Sequence, residues 1–377
     1  MRDIRKVAVL GAGTMGARIA AHLANAAVPS VLLDIVPREL TPLEQKQGLS
    51  TSEPKVRNRI AHAGLDAALK SRPAAFFVPE AASLITVGNF EDHLGWVKDC
   101  DWIIEAVTEN REIKRALLRK VEPLRAPGAI VSSNTSGISL ASIVEGFGDD
   151  FRRHWLGTHF FNPPRYMRLL ELIPTPETLP EVVDRIERFA DLTLGKGSVV
   201  AKDTPNFIAN RIGTFVMLAA LHIMEEDGYA IEEIDALTGP AMGLPKSATF
   251  RLLDIIGLDV LSLVVKNLAD ALPNDERRDL FQLPEFLVQM IERKLLGDKT
   301  GQGFYKKGKT GGDGESEILV LDFNTFDYRQ RQRPKLPSLE MTQSIEDPGQ
   351  RVAQLMQAPD RAGAFYRRLL SDTFYYS

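Results

Sequence analysis

The chain has 377 residues, of which 44% are hydrophobic and 25% charged, and its formal net charge is −4. This length allows two or more domains with substantial cores, and the slight negative charge provides no basic field to attract nucleic acid. Cys100 is the only cysteine, which excludes an intramolecular disulfide and predicts a reducing compartment, the cytoplasm.

The sequence also argues against a signal peptide, a membrane span and a metal site. A strand pattern begins near Ile4, so we expect no signal peptide. No apolar run approaches the roughly 18 residues of a membrane span, and we expect none. The six histidines and one cysteine show no zinc-binding spacing, so we expect no metal site.

The first predicted elements form a dinucleotide-binding unit. Residues 6–10 are an apolar run of buried-strand length, followed by a glycine-rich loop at 11–16 and a small-residue helix at 17–27. A second strand at 30–34 ends in Asp34. Strand, glycines, helix, strand and terminal acid in this order are the fingerprint of dinucleotide binding.

Each glycine of the loop has a physical task. Gly11 permits the tight turn, Gly13 lets the backbone approach a pyrophosphate, and Gly16 lets the helix pack closely on the strand. Asp34 can accept hydrogen bonds from a ribose 2′-hydroxyl and would repel a 2′-phosphate, so we predict NAD rather than NADP. An incidental glycine turn beside a strand-end Asp is the alternative.

An excursion of the chain occupies residues 36–82. Within it, apolar spacing predicts a helix over 56–70, and basic side chains accompany that helix. These cations either meet the phosphates of a large anionic substrate or form a solvated helix face, and the second is more common because charged residues usually lie at the surface.

Two further strands, at 101–107 and 129–133, end in polar loops. The carboxyl ends of such strands form the edge where parallel sheets bind ligands. Glu109 and Ser136 follow these strands and are candidate ligand contacts. Helix capping or turn formation is the alternative role for each.

Two β-like runs, at 155–161 and 168–173, flank a Pro-Pro turn. If they pair antiparallel about Arg165, His159 falls opposite Glu171 and both side chains point to the same face. A histidine held by a carboxylate is suited to abstracting a proton near neutral pH. Packing of His159 in an aromatic core is the alternative.

The pattern after residue 202 becomes helical. We therefore predict an α/β fold with a Rossmann-type NAD-binding domain over 1–202 and a smaller all-α domain over 203–307. A hairpin and linker over 308–340 and the truncated start of a further helical domain over 341–377 follow. The glycine-rich stretch at 308–317 is typical of a turn or flexible loop.

Seven runs occur in a specific order over residues 4–307: Gly11–Gly16, Trp102–Asn110, Ser133–Ser136, His159–Pro163, Leu169–Glu171, Asp203–Arg211 and Lys299–Tyr305. With them the chain resembles the 3-hydroxyacyl-CoA dehydrogenase family of fatty-acid β-oxidation. More narrowly, it is similar to the N-terminal part of long bacterial proteins in which an enoyl-CoA hydratase domain follows, so we expect a fragment of a longer protein.

The resemblance implies NAD-dependent oxidation of an L-3-hydroxyacyl-CoA, with His159 as general base, Glu171 orienting it, and Ser136 and Asn210 holding the reacting oxygen and the thioester end. It also implies an acyl-CoA partner and a homodimer through the helical domain. The implied cofactor contacts are Gly11, Ala12, Gly13, Thr14, Met15, Gly16, Asp34, Ile35, Ala106, Val107, Glu109, Lys114, Asn134, Ser136, Asn162 and Lys299.

Two other functions compete with this one. A related dehydrogenase could act on a small hydroxy acid or sugar acid, although the basic excursion favours CoA. A protein that binds NAD without catalysis would need only the glycines and Asp34, so the remaining candidate residues argue against it. The segment Pro73–Pro79 is unlike the arm of the short family members, and no individual CoA contact is inferred.

Overall fold

The computed structural model describes residues 3–308 and 317–377. It divides into two units, Met1–Ile208 and Ala209–Ser377, so the division falls six residues after the predicted boundary at 202. The predicted loop at 308–317 lies outside the described residues except for its two ends. Within the described ranges, no helix is both long and apolar enough to cross a membrane.

The first unit is built on a sheet whose eight strands have the order β3-β2-β1-β4-β5-β6-β7-β8. Every neighbouring pair is parallel except β6 and β7, which are antiparallel. The strands are β1 (Val7–Leu10), β2 (Ser30–Asp34), β3 (Ile85–Asn89), β4 (Trp102–Glu105), β5 (Ile130–Ser133), β6 (Trp155–Phe160), β7 (Leu169–Pro174) and β8 (Gly197–Val200).

Helices flank this sheet, which confirms the predicted α/β fold of the Rossmann type. Strands β1, β4 and β5 are buried along their whole length, as expected for near-continuous apolar runs covered by helices on both faces. The helices are α1 (Thr14–Asn25), α2 (Pro42–Lys46), α3 (Pro54–Arg57), α4 (Arg59–Leu69), α5 (Arg111–Val121), α6 (Leu140–Ile143), α7 (Asp149–Arg153) and α8 (Pro180–Leu192).

The strand order places a binding crevice at one position of the sheet. The chain crosses from β1 to β2 on one side and later returns to β4 on the other side of β1. At such a switch point the loops after the two central strands diverge and leave a crevice at their carboxyl ends. The loops after β1 and β4 begin at Gly11 and Ala106, so these residues border the crevice.

The excursion packs against the nucleotide-binding helix. In place of the single helix predicted over 56–70, the structure has α3 and α4 with a break at Asn58. Helix α4 lies so close to the glycine loop that a Cβ atom at Gly64 would stand 2.1 Å from the Ala12 carbonyl oxygen. Only glycine at position 64 therefore allows this approach.

The basic character of the excursion is partly neutralised inside the first unit. Arg57 forms ion pairs with Glu91 and Asp92, and Arg59 forms one with Glu44. Lys55, Lys70 and Arg72 are exposed. Two of the predicted cations are thus held by acids of the protein, which favours the interpretation of a solvated and self-paired face over a dedicated phosphate cluster.

The second unit is mainly helical and also contains a three-stranded antiparallel sheet in the order β11-β10-β9. The predicted hairpin corresponds to β10 and β11. The elements are α9 (Ala209–Asp227), α10 (Ile231–Thr238), α11 (Phe250–Ile256), α12 (Leu258–Ala271), α13 (Glu285–Glu292), β9 (Tyr305–Lys307), β10 (Ile318–Leu321), β11 (Tyr328–Gln330), α14 (Pro337–Met341), α15 (Pro348–Gln357) and α16 (Arg361–Tyr376).

The last helix differs from its expectation. The sequence predicts that the helix at the end of the chain belongs to the truncated start of a further helical domain. In the structure α16 packs against α9: Phe365 and Leu369 are fully buried, and the Tyr376 ring stacks on Phe215 with centroids 4.1 Å apart. This helix is therefore part of the core of the second unit.

Candidate active site

The glycine loop after β1 forms a backbone cradle that side chains would obstruct. Gly11 has a φ of +109°, and a Cβ atom there would lie 2.6 Å from the Ala106 carbonyl oxygen. A Cβ atom at Gly16 would lie 1.8 Å from the Gly11 carbonyl oxygen, whereas one at Gly13 would meet no atom within 4 Å. The crowded positions hold the loop tight, and the open one leaves room for a ligand.

Gly13 also precedes α1 as its N-cap and gives the helix no side-chain cap. The uncapped N–H groups of this first turn, which includes Thr14 and Met15, and the positive end of the helix dipole favour a bound phosphate. The loop therefore has the shape and polarity that the pyrophosphate of a dinucleotide requires.

Asp34 stands beside this loop at the end of β2. One carboxylate oxygen accepts a hydrogen bond from Ala12 N at 2.6 Å and the other accepts one from Ile35 N, also at 2.6 Å. A carboxylate has about four lone-pair sites, so Asp34 keeps acceptor capacity for ribose hydroxyls. The cradle and this acid together fit the adenosine half of NAD.

A buried charge cluster lies at the end of β4. The ammonium of Lys114 is 2.9 Å from Glu105 Oε1 and 3.3 Å from Glu109 Oε2, and only 1% of the Lys114 side chain is exposed. It also donates to the Val107 carbonyl oxygen at 3.3 Å. The Lys114 ammonium thus donates its hydrogen bonds to groups inside the protein. Any effect of Lys114 on a cofactor therefore passes through Glu109.

Glu109 connects that cluster to the loop after β5. Its Oε1 accepts hydrogen bonds from Thr135 Oγ1 at 2.6 Å, from Ser136 N at 3.0 Å and from Ser136 Oγ at 3.3 Å. Burial acts to raise the pKa of Glu109, but the Thr135 hydroxyl, the Lys114 ammonium and the Ser136 N–H outweigh it and hold the pKa below its usual value. Glu109 is therefore ionised at neutral pH.

The hairpin of β6 and β7 has the register that the sequence predicted. His159 pairs with Glu171 across the antiparallel ladder, and His159 Nδ1 lies 2.7 Å from Glu171 Oε2. The histidine is 5% exposed and the glutamate is fully buried. The predicted contact of the two side chains on one face is confirmed.

The surroundings of the pair fix the imidazole ring. The rings of Phe161 and Phe207 have centroids 4.5 and 5.7 Å from that of His159. The second oxygen of Glu171 accepts a hydrogen bond from Ile208 N at 3.0 Å. Because an ionised Glu171 can only accept, His159 Nδ1 must donate, which leaves Nε2 as the ring nitrogen that can take a proton.

Two predicted cofactor contacts have hydrogen bonds inside the first unit. Asn134 Oδ1 accepts from Phe160 N at 2.9 Å and so joins the end of β5 to β6. Asn162 Oδ1 accepts from Arg18 Nη1 at 2.5 Å, which ties the hairpin turn to helix α1. Their amide nitrogens are the groups with which a ligand could still be bound.

Asn210 and Lys299 belong to the second unit and are described within it. Asn210 lies in the first turn of α9. Lys299 forms an ion pair with Asp259. Its loop is fixed by Asp254, which accepts hydrogen bonds from Phe304 N at 2.8 Å and Tyr305 N at 2.9 Å. Their roles toward substrate and cofactor stay predictions.

Several residues that shape the site were not predicted from the sequence. They hold site residues through hydrogen bonds or ring contacts rather than through a motif. Among them only Glu105 had a signal in the sequence, because it is an acid at the end of an otherwise apolar strand. They are Arg18, Glu105, Thr135, Phe161 and Phe207.

Comparison with protein-family models matches nearly the whole of the first unit and more than half of the second. Residues 6–204 match the model described as 3-hydroxyacyl-CoA dehydrogenase, NAD binding domain, and residues 207–307 match the one described as 3-hydroxyacyl-CoA dehydrogenase, C-terminal domain.

Individual proteins give the same result. The chain is 46% identical over 377 residues to a probable 3-hydroxyacyl-CoA dehydrogenase of Bacillus subtilis, covering 100% of this chain and 47% of that protein. A protein of Deinococcus radiodurans with the same description is 49% identical over 306 residues, covering 81% of this chain and 84% of the relative. The chain thus spans about half the length of the first relative.

A solved structure shares the fold. The crystal structure of (S)-3-hydroxybutyryl-CoA dehydrogenase from Ralstonia eutropha matches with a TM-score of 0.63 and 27% identity, covering 81% of this chain and 100% of that one.

Proposed function

This chain belongs to the 3-hydroxyacyl-CoA dehydrogenase family, and from that premise we propose that it oxidises the 3-hydroxyl group of an L-3-hydroxyacyl-CoA to a ketone with NAD. The observation that carries the proposal is the 2.7 Å contact between His159 Nδ1 and Glu171 Oε2. This contact leaves the imidazole Nε2 of His159 available as a base. His159 lies in the first unit, which also contains the glycine loop that binds the dinucleotide in this proposal.

His159 and Glu171 perform the proton transfer. His159 Nε2 takes the proton of the substrate hydroxyl, and the Glu171 carboxylate holds the ring by its Nδ1–H and stabilises the imidazolium that forms. In the reverse reaction, the imidazolium returns the proton to the carbonyl oxygen. Burial of both side chains makes their mutual attraction stronger than it would be in water.

The remaining residues bind and orient. When bound, NAD supplies the acceptor for the hydride that leaves the substrate carbon. The cradle from Gly11 to Gly16 holds the pyrophosphate and Asp34 the ribose. Ser136 holds the reacting oxygen. In the structure Ser136 Oγ donates a hydrogen bond to Glu109 Oε1 at 3.3 Å. In the proposal this hydroxyl rotates from Glu109 to the substrate. Asn210 holds the thioester end in the proposal.

An NADH-linked assay tests this function. Acetoacetyl-CoA and longer 3-ketoacyl-CoAs are supplied, and NADH loss is followed by absorbance. We expect turnover with NADH, much less with NADPH because Asp34 repels a 2′-phosphate, and almost none in His159→Gln. Tight NADH binding without turnover of any substrate would contradict the proposal, and preference for NADPH would contradict the role of Asp34.

The whole protein is proposed to be larger than this chain. The Bacillus subtilis relative is about twice as long, and we propose that an enoyl-CoA hydratase-like portion follows, in a cytoplasmic protein that forms a homodimer. Intact-mass measurement of the full gene product tests the first point. Cell fractionation and analytical ultracentrifugation test the other two. A natural stop codon after Ser377 would contradict the longer protein.

A further inference from the structure

Glu105 is a fully buried carboxylate that ends β4 and is surrounded by donors. Its oxygens accept hydrogen bonds from the Lys114 ammonium at 2.9 and 3.1 Å, from Ser133 Oγ at 2.5 Å and from Val107 N at 2.7 Å. Burial raises the pKa of Glu105, whereas the Lys114 ammonium, the Ser133 hydroxyl and the Val107 N–H act to lower it and favour the ionised, acceptor-only form. A buried charge is costly unless it is paired, and removing its partner leaves that cost unbalanced.

The same ammonium serves a second acid. Lys114 Nζ lies 3.3 Å from Glu109 Oε2, so two carboxylates share one cation. Glu105 draws the ammonium inward, and this leaves Oε1 of Glu109 as a strong acceptor for Ser136 N at 3.0 Å and Thr135 Oγ1 at 2.6 Å. The chain of contacts therefore runs from Glu105 through Lys114 and Glu109 to the Ser136 loop.

We propose that Glu105 is a positioning residue for Ser136, which it fixes by holding Lys114 at a set distance from Glu109. Without the Glu105 charge, Lys114 pairs with Glu109 alone. The hydrogen bonds that Glu109 accepts from Ser136 and Thr135 then become weaker. The Ser136 loop then loosens. The expected fall in turnover rests on the proposed function, in which Ser136 holds the reacting oxygen. The expected loosening of the Ser136 loop does not depend on that function.

Hydrogen exchange of the Ser136 amide tests the loop directly, without turnover. In the full chain with NADH bound, Glu105→Gln is expected to speed exchange at Ser136 by about tenfold, since that N–H is held by Glu109. The matched control is Glu112→Gln, which removes an exposed acid from the same helix as Lys114. Unchanged Ser136 exchange in Glu105→Gln, or equal acceleration in the control, would overturn the proposal.

A double-mutant cycle with Ser136→Ala then tests the effect on catalysis. We expect Glu105→Gln alone to lower kcat about tenfold with little change in the KM for NADH, and to cost less than about twofold when Ser136 is already alanine. Additive losses would show that Glu105 is structural only. If Glu105→Gln does not fold, Glu105→Asp, which keeps the charge but withdraws it from Lys114, enters the same two measurements. A wild type that shows no turnover contradicts the proposed function, whereas unchanged exchange contradicts this inference alone.

Discussion

Two histidines of the first unit are buried to nearly the same degree but have opposite electrostatic surroundings. His159 in the β6–β7 hairpin is 5% exposed and contacts the carboxylate of Glu171, whereas His22 in α1 is 8% exposed and has cations nearby. Its Nε2 lies 3.2 Å from the Leu194 carbonyl oxygen. Burial alone therefore does not distinguish His159, the proposed general base, from His22; the charge of the neighbouring groups does.

The consequence for His22 can be stated as a pKa. Burial, together with the positive charges of Lys196 and Arg165, lowers the pKa of His22 to about 4, although the bond to the Leu194 carbonyl opposes the change. Lys196 is itself buried and donates to the Met167 carbonyl oxygen at 2.6 Å. His22 is thus neutral near pH 7.

The largest expected effect is the loss of activity in His159→Gln. Glutamine can keep a hydrogen bond to Glu171 but cannot take a proton, so kcat should fall about 10³- to 10⁴-fold. The measurement is the rate of NADH loss with acetoacetyl-CoA. His22→Gln is the matched control and should keep kcat within about twofold. Equal losses in the two variants would remove the distinction between the two histidines.

A smaller effect is expected from Glu171→Gln. The amide no longer stabilises the imidazolium, and the ring can adopt the wrong tautomer, so we expect kcat to fall roughly 10²- to 10³-fold. NADH affinity, measured by fluorescence titration, should change by less than about threefold because the cradle lies elsewhere. If kcat falls less than about fivefold, the carboxylate only packs against His159 and does not orient it.

The smallest effect concerns stability in acid and His22. Between the ordinary histidine pKa of 6.5 and the folded value of about 4, the unfolded chain takes up a proton that the folded chain does not. Stability is therefore lost as pH falls through this window, by an amount on the order of 2 kcal/mol between pH 7 and 4.5.

Urea unfolding of the first unit at these two pH values measures that loss. His22→Gln should lack it, so its stability relative to the wild type should rise as the pH is lowered. His62→Gln, which changes an exposed histidine, should behave like the wild type. Parallel pH dependence of all three proteins would show that His22 is not held neutral.

The sequence predicted those parts of the site that depend on local patterns. The order of strand, glycines, helix and Asp34 determines one backbone geometry. The even spacing between His159 and Glu171 about a short turn determined their register. Both features need contacts only between neighbouring elements, so period and turn chemistry were sufficient.

The rest depended on contacts between distant parts of the chain. Arg18 meets Asn162 across 144 positions, and no pattern near either residue indicates this pair. Lys114 was expected on the cofactor side, but its ammonium is bound by Glu105, and the acid at the end of that apolar strand does not by itself indicate its partner. Helix α16 had no visible partner in sequence because its partner, α9, begins about 150 residues earlier.

The lack of room for a Cβ atom at Gly64, beside the Ala12 carbonyl, has a consequence for protein engineering. A chimera that keeps the glycine loop but takes its excursion from another relative should tolerate changes at the exposed positions of that segment, such as Lys55, Lys70 and Arg72. It will not tolerate a side chain at position 64, where a single methyl group would displace the loop. A deep mutational scan of the whole chain should therefore show that position 64 is intolerant of every other residue, whereas the exposed positions of the excursion accept many.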